Sequence, residues 1–269
     1  MLIITYFFFF SIAKKFFYMF FYQKMQVQNI SHQNFTSRIN PVPSFTINTK
    51  AGKLHFEEPT LEQINKRGFV KRLTLFFCKN FATTSDCPVW QAFAGKEMNN
   101  SANFYLKLLT QNFKNTLKEK NNHLTLLIAR DSRRKIQGAV LGFPFDTIPA
   151  CENSLYYIED IAVGENFRGC GIGKILLNKS LESIKNKFTD VLLTNTRQVE
   201  NFYKRLGFKN LDSGDNVQKT VLDFLAQDRY DYPRYVNFMT KSLHKDEQGW
   251  FLDAFKAIQN LRNESGNNI

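Results

Sequence analysis

Three glycines stand in five positions, Gly169, Gly171 and Gly173, within the run Arg168-Gly169-Cys170-Gly171-Ile172-Gly173. The residues after them fall into helical spacing. A helix that opens on glycine leaves its first N–H groups unpaired and reachable, and its dipole favours negative charge there. That is the chemistry of a phosphate cradle. Just upstream, Tyr156–Val163 is apolar and rich in β-formers, yet carries two acids, Glu159 and Asp160. A pair of carboxylates on a strand that feeds an anion site is not expected to serve packing alone. Two familiar phosphate loops are excluded. A Walker loop needs Gly-Lys-Ser/Thr, but Lys174 precedes Ile175, and Arg168 stands where its first glycine belongs. A dinucleotide fingerprint needs Gly-x-Gly-x-x-Gly. From Gly169 the sixth position is Lys174, and from Gly171 it is Leu176.

The surrounding elements must position that turn. Phe45–Ile47 and Leu54–Phe56 read as paired strands around Ala51-Gly52. Pro59-Thr60 opens a helix, with Thr60 as its N-cap and Glu62 nearby; Leu61, Ile64, Val70, Leu73, Phe76 and Phe77 continue the pattern across a break at Gly68. Cys87-Pro88-Val89-Trp90 interrupts it. Ala102–Lys120 is a second amphipathic helix, with Phe104, Leu108, Phe113 and Leu117 near one stripe. Leu124–Ala129 and Ile136–Phe143 are antiparallel strands about the polar turn Asp131–Lys135. A loop with two prolines, residues 144–154, leads into Tyr156–Val163. After the glycine turn a helix runs to about Lys187, and Val191–Thr194 should lie parallel to Tyr156–Val163. On a regular strand Glu159 and Asp160 point to opposite faces, so only one is expected to line a site.

Composition bounds the partners. The chain has 269 residues and a net charge of +12, but its Lys and Arg are scattered and form no block like a nucleic-acid arm. No nucleic acid is expected. The cysteines Cys78, Cys87, Cys151 and Cys170, with only four histidines, have no metal-ligand spacing; they suit a reduced, cytoplasmic setting and no metal. Residues 1–22 hold two apolar, aromatic stretches split by Lys14 and Lys15. Neither is long enough to span a bilayer, and the charge follows rather than precedes the apolar run. Three readings stay open: a membrane-surface anchor, a signal-anchor, or a true start at Met25. Residues 26–44 read as linker.

Arg168, Gly171 and Gly173 fit Arg-x-x-Gly-x-Gly. Here the chain resembles the Gcn5-related N-acetyltransferases (GNAT), whose acetyl-coenzyme A signature this is. Asn201-Phe202-Tyr203-Lys204-Arg205-Leu206-Gly207-Phe208 looks like the family's second signature, and Tyr235–Leu243 resembles its closing strand. The resemblance covers about 45–243. It implies an α/β GNAT fold, with a mixed central sheet of about six to seven strands flanked by helices. It divides the chain into an N-terminal extension (1–44), an acetyltransferase domain (45–243) and a C-terminal amphipathic helix and tail (244–269).

The resemblance also implies a reaction: transfer of the acetyl group of acetyl-CoA to a primary amine, by direct attack in a ternary complex. The alternative is a catalytically silent acetyl-CoA-binding module of the same fold. The turn from Gly169 through Cys170, Gly171, Ile172 and Gly173 to Lys174 would hold the coenzyme's pyrophosphate. Arg168 would add charge or brace the turn, and Ile161, Ala162 and Val163 would lie along the pantetheine arm. Tyr203 is the implied general acid. Glu159 matches the base of the polyamine and diamine acetyltransferase branch, against the reading that it only attracts a cation. The family often has an asparagine seven residues before the tyrosine. Thr196 holds that position here, so Asn195 and Asn201 are the candidates for its contact. The acceptor would be a small amine or a lysine-bearing molecule. Residues 209–234 read as an insertion near the acceptor. The tail helix at 247–261 would pack on its own domain or support a homodimer.

Overall fold

The computed structural model describes residues 41–85, 88–95, 97–119, 124–145, 154–211, 219–221, 223, 236–244 and 254–260. The chain divides into Met1–Ser37 and Arg38–Ile269, and every described element lies in the second unit. The readings made for residues 1–40, most of 209–234 and the start of the tail lie outside the described residues.

Strands β1 (Phe45–Thr49) and β2 (Gly52–Glu57) form the expected hairpin. Helix α1 (Leu61–Asn65) starts on a capping box: Thr60 Oγ1 accepts from Gln63 N–H, and the Gln63 side chain accepts from Thr60 N–H. Gly68, at φ 81°, separates α1 from α2 (Phe69–Phe81). Then follow α3 (Pro88–Gln91) and α4 (Asn100–Glu119). On α4 the stripe differs from the expected one. Ala102, Leu106 and Leu117 are buried, whereas Phe104 is 56% exposed.

β3 (Thr125–Asp131) and β4 (Ile136–Pro144) are antiparallel, and β5 (Leu155–Val163) runs antiparallel to β4. α5 (Ile172–Ile184) crosses to β6 (Asp190–Thr196), which pairs parallel with β5. α6 (Glu200–Lys204), the two-residue β7 (Lys209–Asn210) and β8 (Val236–Ser242) complete the sheet. Its order is β1-β2-β3-β4-β5-β6-β8-β7, eight strands among the described residues. The count exceeds the expected six to seven because Lys209 and Asn210, first read as inserted loop, pair with β8.

The sheet buries both faces. On one, α5 covers Leu127, Val140, Tyr156, Ile158, Val191 and Leu193. On the other, α2 and α4 cover Leu126, Ile128, Ala139, Leu141 and Ala162. Farther along that second face, Leu155, Tyr157 and Leu192 meet Ala254 and Ile258 from the helical residues 254–260. Tyr156 is fully buried and its hydroxyl is satisfied: it donates to Thr125 Oγ1 at 2.8 Å and accepts from Thr125 N–H at 3.0 Å. Among the described residues no helix is long and apolar enough to cross a membrane.

Candidate active site

The site begins where two parallel strands part. β5 and β6 are paired from Leu155↔Asp190 to Ile158↔Leu193 and no farther. Beyond that point β5 runs on to Val163 and β6 to Thr196. The opening wedge leaves backbone groups of β5 without a strand partner on that side. Buried backbone groups require partners, so an extended ligand that can hydrogen-bond fits there. Ile161, Ala162 and Val163 stand along this edge.

A bulge sits at the mouth of the wedge. Leu141 faces Asp160 and Gly142 faces Ile158, so Glu159 is the extra residue in β5. Glycine is required opposite it, because a Cβ at Gly142 would come within 2.7 Å of the Tyr156 ring. The bulge overturns the expected alternation. Ile158 and Ile161 both pack into the α5-side core, while Tyr157 and Ala162 pack on the other side. The two residues between Ile158 and Ile161 are therefore both turned to the α2 face. Glu159 and Asp160 share a face instead of dividing between two. Glu159 is exposed and Asp160 half-buried.

Asp160 acts electrostatically on both sides of the wedge. Cys78, buried on α2, has its thiol pushed up to about 12 by burial first and then by the Asp160 carboxylate. Tyr203, on α6, also has its pKa raised, by burial first, then by Asp160, then by Tyr157. Each of these causes disfavours a phenolate, so Tyr203 holds its proton through the neutral and mildly alkaline range. Its ring stands edge-on to Phe202 and Phe208, and its hydroxyl has no hydrogen-bond partner among the described residues. On the α2 face, the Tyr157 hydroxyl lies 3.2 Å from Thr194 Oγ1.

The glycine turn leads from β5 into α5. Gly169 and Gly171 have φ of 73° and 78°, a region that side chains strain to reach. Gly171 is the N-cap of α5 and the helix has no side-chain cap; its first backbone bond is from Ile175 N–H to Gly171 O at 3.1 Å. The N–H groups of Ile172, Gly173 and Lys174 precede that bond and have no intrahelical acceptor. A Cβ on Gly169 or Gly171 would meet nothing within 4 Å, so the space beside the turn is open. Gly173 instead gives close packing, since a Cβ there would lie 3.2 Å from the Phe202 ring. Free donors, a helix N-terminus and open space fit a pyrophosphate. Lys174 is exposed, and Cys170 is half-buried against the α5-side core.

The Arg168 side chain is hydrogen-bonded to β5 and to the end of α2. Its Nε donates to Val163 O at 3.2 Å, and Nη2 donates to Asn80 Oδ1 at 3.0 Å and Thr83 Oγ1 at 2.8 Å. Asn195 is buried at the far end of β6. Its Nδ2 donates to Thr196 O at 2.8 Å, and its Oδ1 is a buried acceptor with no partner among the described residues. Asn201 is exposed on α6. Alternation along β6 places Asn195 on the same face as Val191 and Leu193, the α5 side that also holds Tyr203. Asp160 is the residue that sequence reasoning left out of the site. Its only signal was proximity to Glu159, because strand alternation argued it away.

The model of the family described as "Acetyltransferase (GNAT) family" matches residues 89–208, a span that holds both the glycine turn and Tyr203. No curated protein matches this chain. Among solved structures, the chain is similar to a GNAT-family acetyltransferase from Staphylococcus aureus Mu50, at 16% identity and TM-score 0.44, covering 71% of this chain and 99% of that one. It is similar to the PaiA N-acetyltransferase from Thermoplasma acidophilum, a structure in complex with coenzyme A, at 14% identity and TM-score 0.44, covering 70% and 98%. An acetyltransferase from Streptococcus agalactiae gives 15% identity, TM-score 0.45 and coverage of 70% and 98%. From residue 89 to residue 208 the chain therefore matches the acetyltransferase (GNAT) family, and the sheet that carries this span is a GNAT fold.

Proposed function

We propose that this chain transfers the acetyl group of acetyl-coenzyme A to a primary amine, by direct attack in a ternary complex. One observation carries the reading. An anion cradle, a parted strand edge, a proton-holding phenol and two same-face carboxylates are set around a single wedge. When bound, acetyl-coenzyme A supplies an acyl group activated as a thioester. The chain's residues do the rest. The N–H groups of Ile172, Gly173 and Lys174, which have no intrahelical acceptor, hold the pyrophosphate, and the edge of β5 from Ile161 to Val163, which has no strand partner there, orients the pantetheine arm. Glu159, exposed at the bulge, takes the proton from the acceptor amine directly or through water. Asp160 holds positive charge beside Tyr203. Tyr203 gives its proton to the departing thiolate. Asn195 and Asn201 are the candidates for a further polar contact to the coenzyme.

The acceptor we infer is a small amine with more than one positive charge, of the diamine or polyamine class. Two carboxylates turned to one face support it, as does the likeness of Tyr157-Ile158-Glu159-Asp160 to that branch. Such a reaction suits the cytoplasm, where no membrane contact through residues 1–22 is needed. The test is thiol release from acetyl-coenzyme A against a panel of mono-, di- and polyamines, aminoglycosides and lysine peptides. Turnover highest with di- and polyamines is expected, with kcat/KM rising with acceptor charge. Coenzyme binding without turnover on any amine would leave only the silent binding module.

A further inference from the structure

The segment Asn80–Ser85, which leaves the C-terminal end of α2, is hydrogen-bonded to the far ends of both parted strands. At the β5 end, Arg168 grips it: Nη2 donates to Asn80 Oδ1 and Thr83 Oγ1, while Nε of the same guanidinium donates to Val163 O, the last residue of β5. At the β6 end, Thr196 Oγ1 donates to Thr84 O at 2.7 Å. The segment has its own internal support. Asn80 Nδ2 donates to Phe76 O at 2.8 Å, Thr83 Oγ1 donates to Asn80 O at 2.7 Å, and Gln91 Nε2 reaches Ala82 O and Ser85 O. The strands have no ladder bonds to each other here, so this strap is what joins their ends. It lies on the face to which Glu159 and Asp160 are turned, and α2, which it ends, carries Cys78 within reach of Asp160's charge.

We infer that Arg168 is a positioning residue for the acceptor side of the site, acting through Asn80 and Thr83, and not a ligand of the coenzyme's phosphates. With Thr196 it sets the spread of the wedge and holds α2 against the two carboxylates. The planar guanidinium meets three acceptors on two segments at once. A lysine ammonium on a flexible stem cannot reproduce that fork. The coenzyme turn needs no help from this side chain, because its N–H groups and its φ values belong to the backbone. The inference rests on the acetyl-transfer reading, since the acceptor site is defined by it.

The experiment compares Arg168→Ala, Arg168→Lys and the pair Asn80→Ala/Thr83→Val, which removes the strap's acceptors and leaves Arg168 in place. Coenzyme A affinity is measured by calorimetry, and acceptor KM and kcat by thiol release. Expected is a rise in acceptor KM of about tenfold in all three, with coenzyme Kd changed by less than about threefold, and no added loss when Arg168→Ala is combined with the pair. A tenfold or greater loss of coenzyme affinity in Arg168→Ala, with unchanged kinetics in Asn80→Ala/Thr83→Val, would overturn it and make Arg168 a phosphate ligand. Unchanged kinetics in all three would overturn it equally. Amide hydrogen exchange in the full chain separates this from failure of the acetyl-transfer reading. In Arg168→Ala, residues 80–85 and 194–196 should exchange faster while β3 and β4 stay protected. Unaltered exchange across 80–85 would overturn the strap even if wild type turned over no amine.

Discussion

In the proposed reaction the two halves of the stretch from Tyr156 to Leu177 do opposite kinds of work. From Arg168 onward, the turn acts through backbone: positive-φ glycines, free N–H groups and open space beside them. Before it, around Glu159 and Asp160, the strand acts through side chains whose direction depends on one extra residue. A backbone site tolerates a change of side chain but not of conformation. A side-chain site has the reverse sensitivity, because the strand survives substitution while the chemistry does not.

The largest effect should fall on conformation in the turn. Gly171→Val forces a β-branched residue to φ near 78° and fills the open space, so coenzyme A affinity should fall by about a hundredfold or more, given about 1.5–3 kcal/mol per charge-assisted hydrogen bond lost. Calorimetric titration reads this directly, and retained affinity would dissolve the contrast between the halves.

Next come the side chains of the wedge. Tyr203→Phe should lower kcat by about a hundredfold, the usual loss for a positioned acid, with coenzyme affinity kept. Glu159→Gln should lower kcat mainly, and Asp160→Asn should raise acceptor KM mainly. Asp160 also sharpens the pH profile. Its charge disfavours the Tyr203 phenolate, so removing it lowers the Tyr203 pKa. In wild type the alkaline limb from Tyr203 should lie above about pH 10, the ordinary phenol value. In Asp160→Asn it should move to lower pH. A limb that stays in place would remove Asp160 from the neighbourhood of the acid.

Away from the site, Tyr156→Phe strands Thr125 N–H and Oγ1 in a fully buried setting, and should cost about 1–3 kcal/mol in a denaturant melt. Coenzyme affinity per folded molecule should not change. The smallest effect belongs to Cys170→Ser. This residue lies inside the turn, but its N–H is bonded to Phe167 O and its side chain turns to the α5-side core, so a near-isosteric change should move coenzyme Kd by less than about twofold.

The same contrast explains what the sequence disclosed. Gly169 and Gly171 declare themselves by type, because few residues reach a positive φ, and Gly173 does so by leaving room for the Phe202 ring. The break at Gly68 was legible for the same conformational reason, and Thr60 because its hydroxyl can cap a helix. Strands β3 to β6 were legible from their apolar runs. The direction of Glu159 and Asp160 was not, because a bulge is set by pairing with β4 and by the missing side chain at Gly142, both tertiary facts. Arg168 showed its type but not its target, since Asn80 and Thr83 lie more than 80 positions away in sequence. Phe104 was misplaced because the α4 stripe starts on Ala102 and Leu106, and a small alanine marks a buried face less clearly than a phenylalanine two places on.

The most direct test of acetyl transfer is thiol release from acetyl-coenzyme A by the full chain, with a primary diamine as acceptor, beside Tyr203→Phe. Steady release in wild type that needs the amine, falling by about a hundredfold in Tyr203→Phe with coenzyme affinity intact, is the expected result. Release at the same rate in both proteins, or none in wild type at saturating coenzyme and amine, would contradict it.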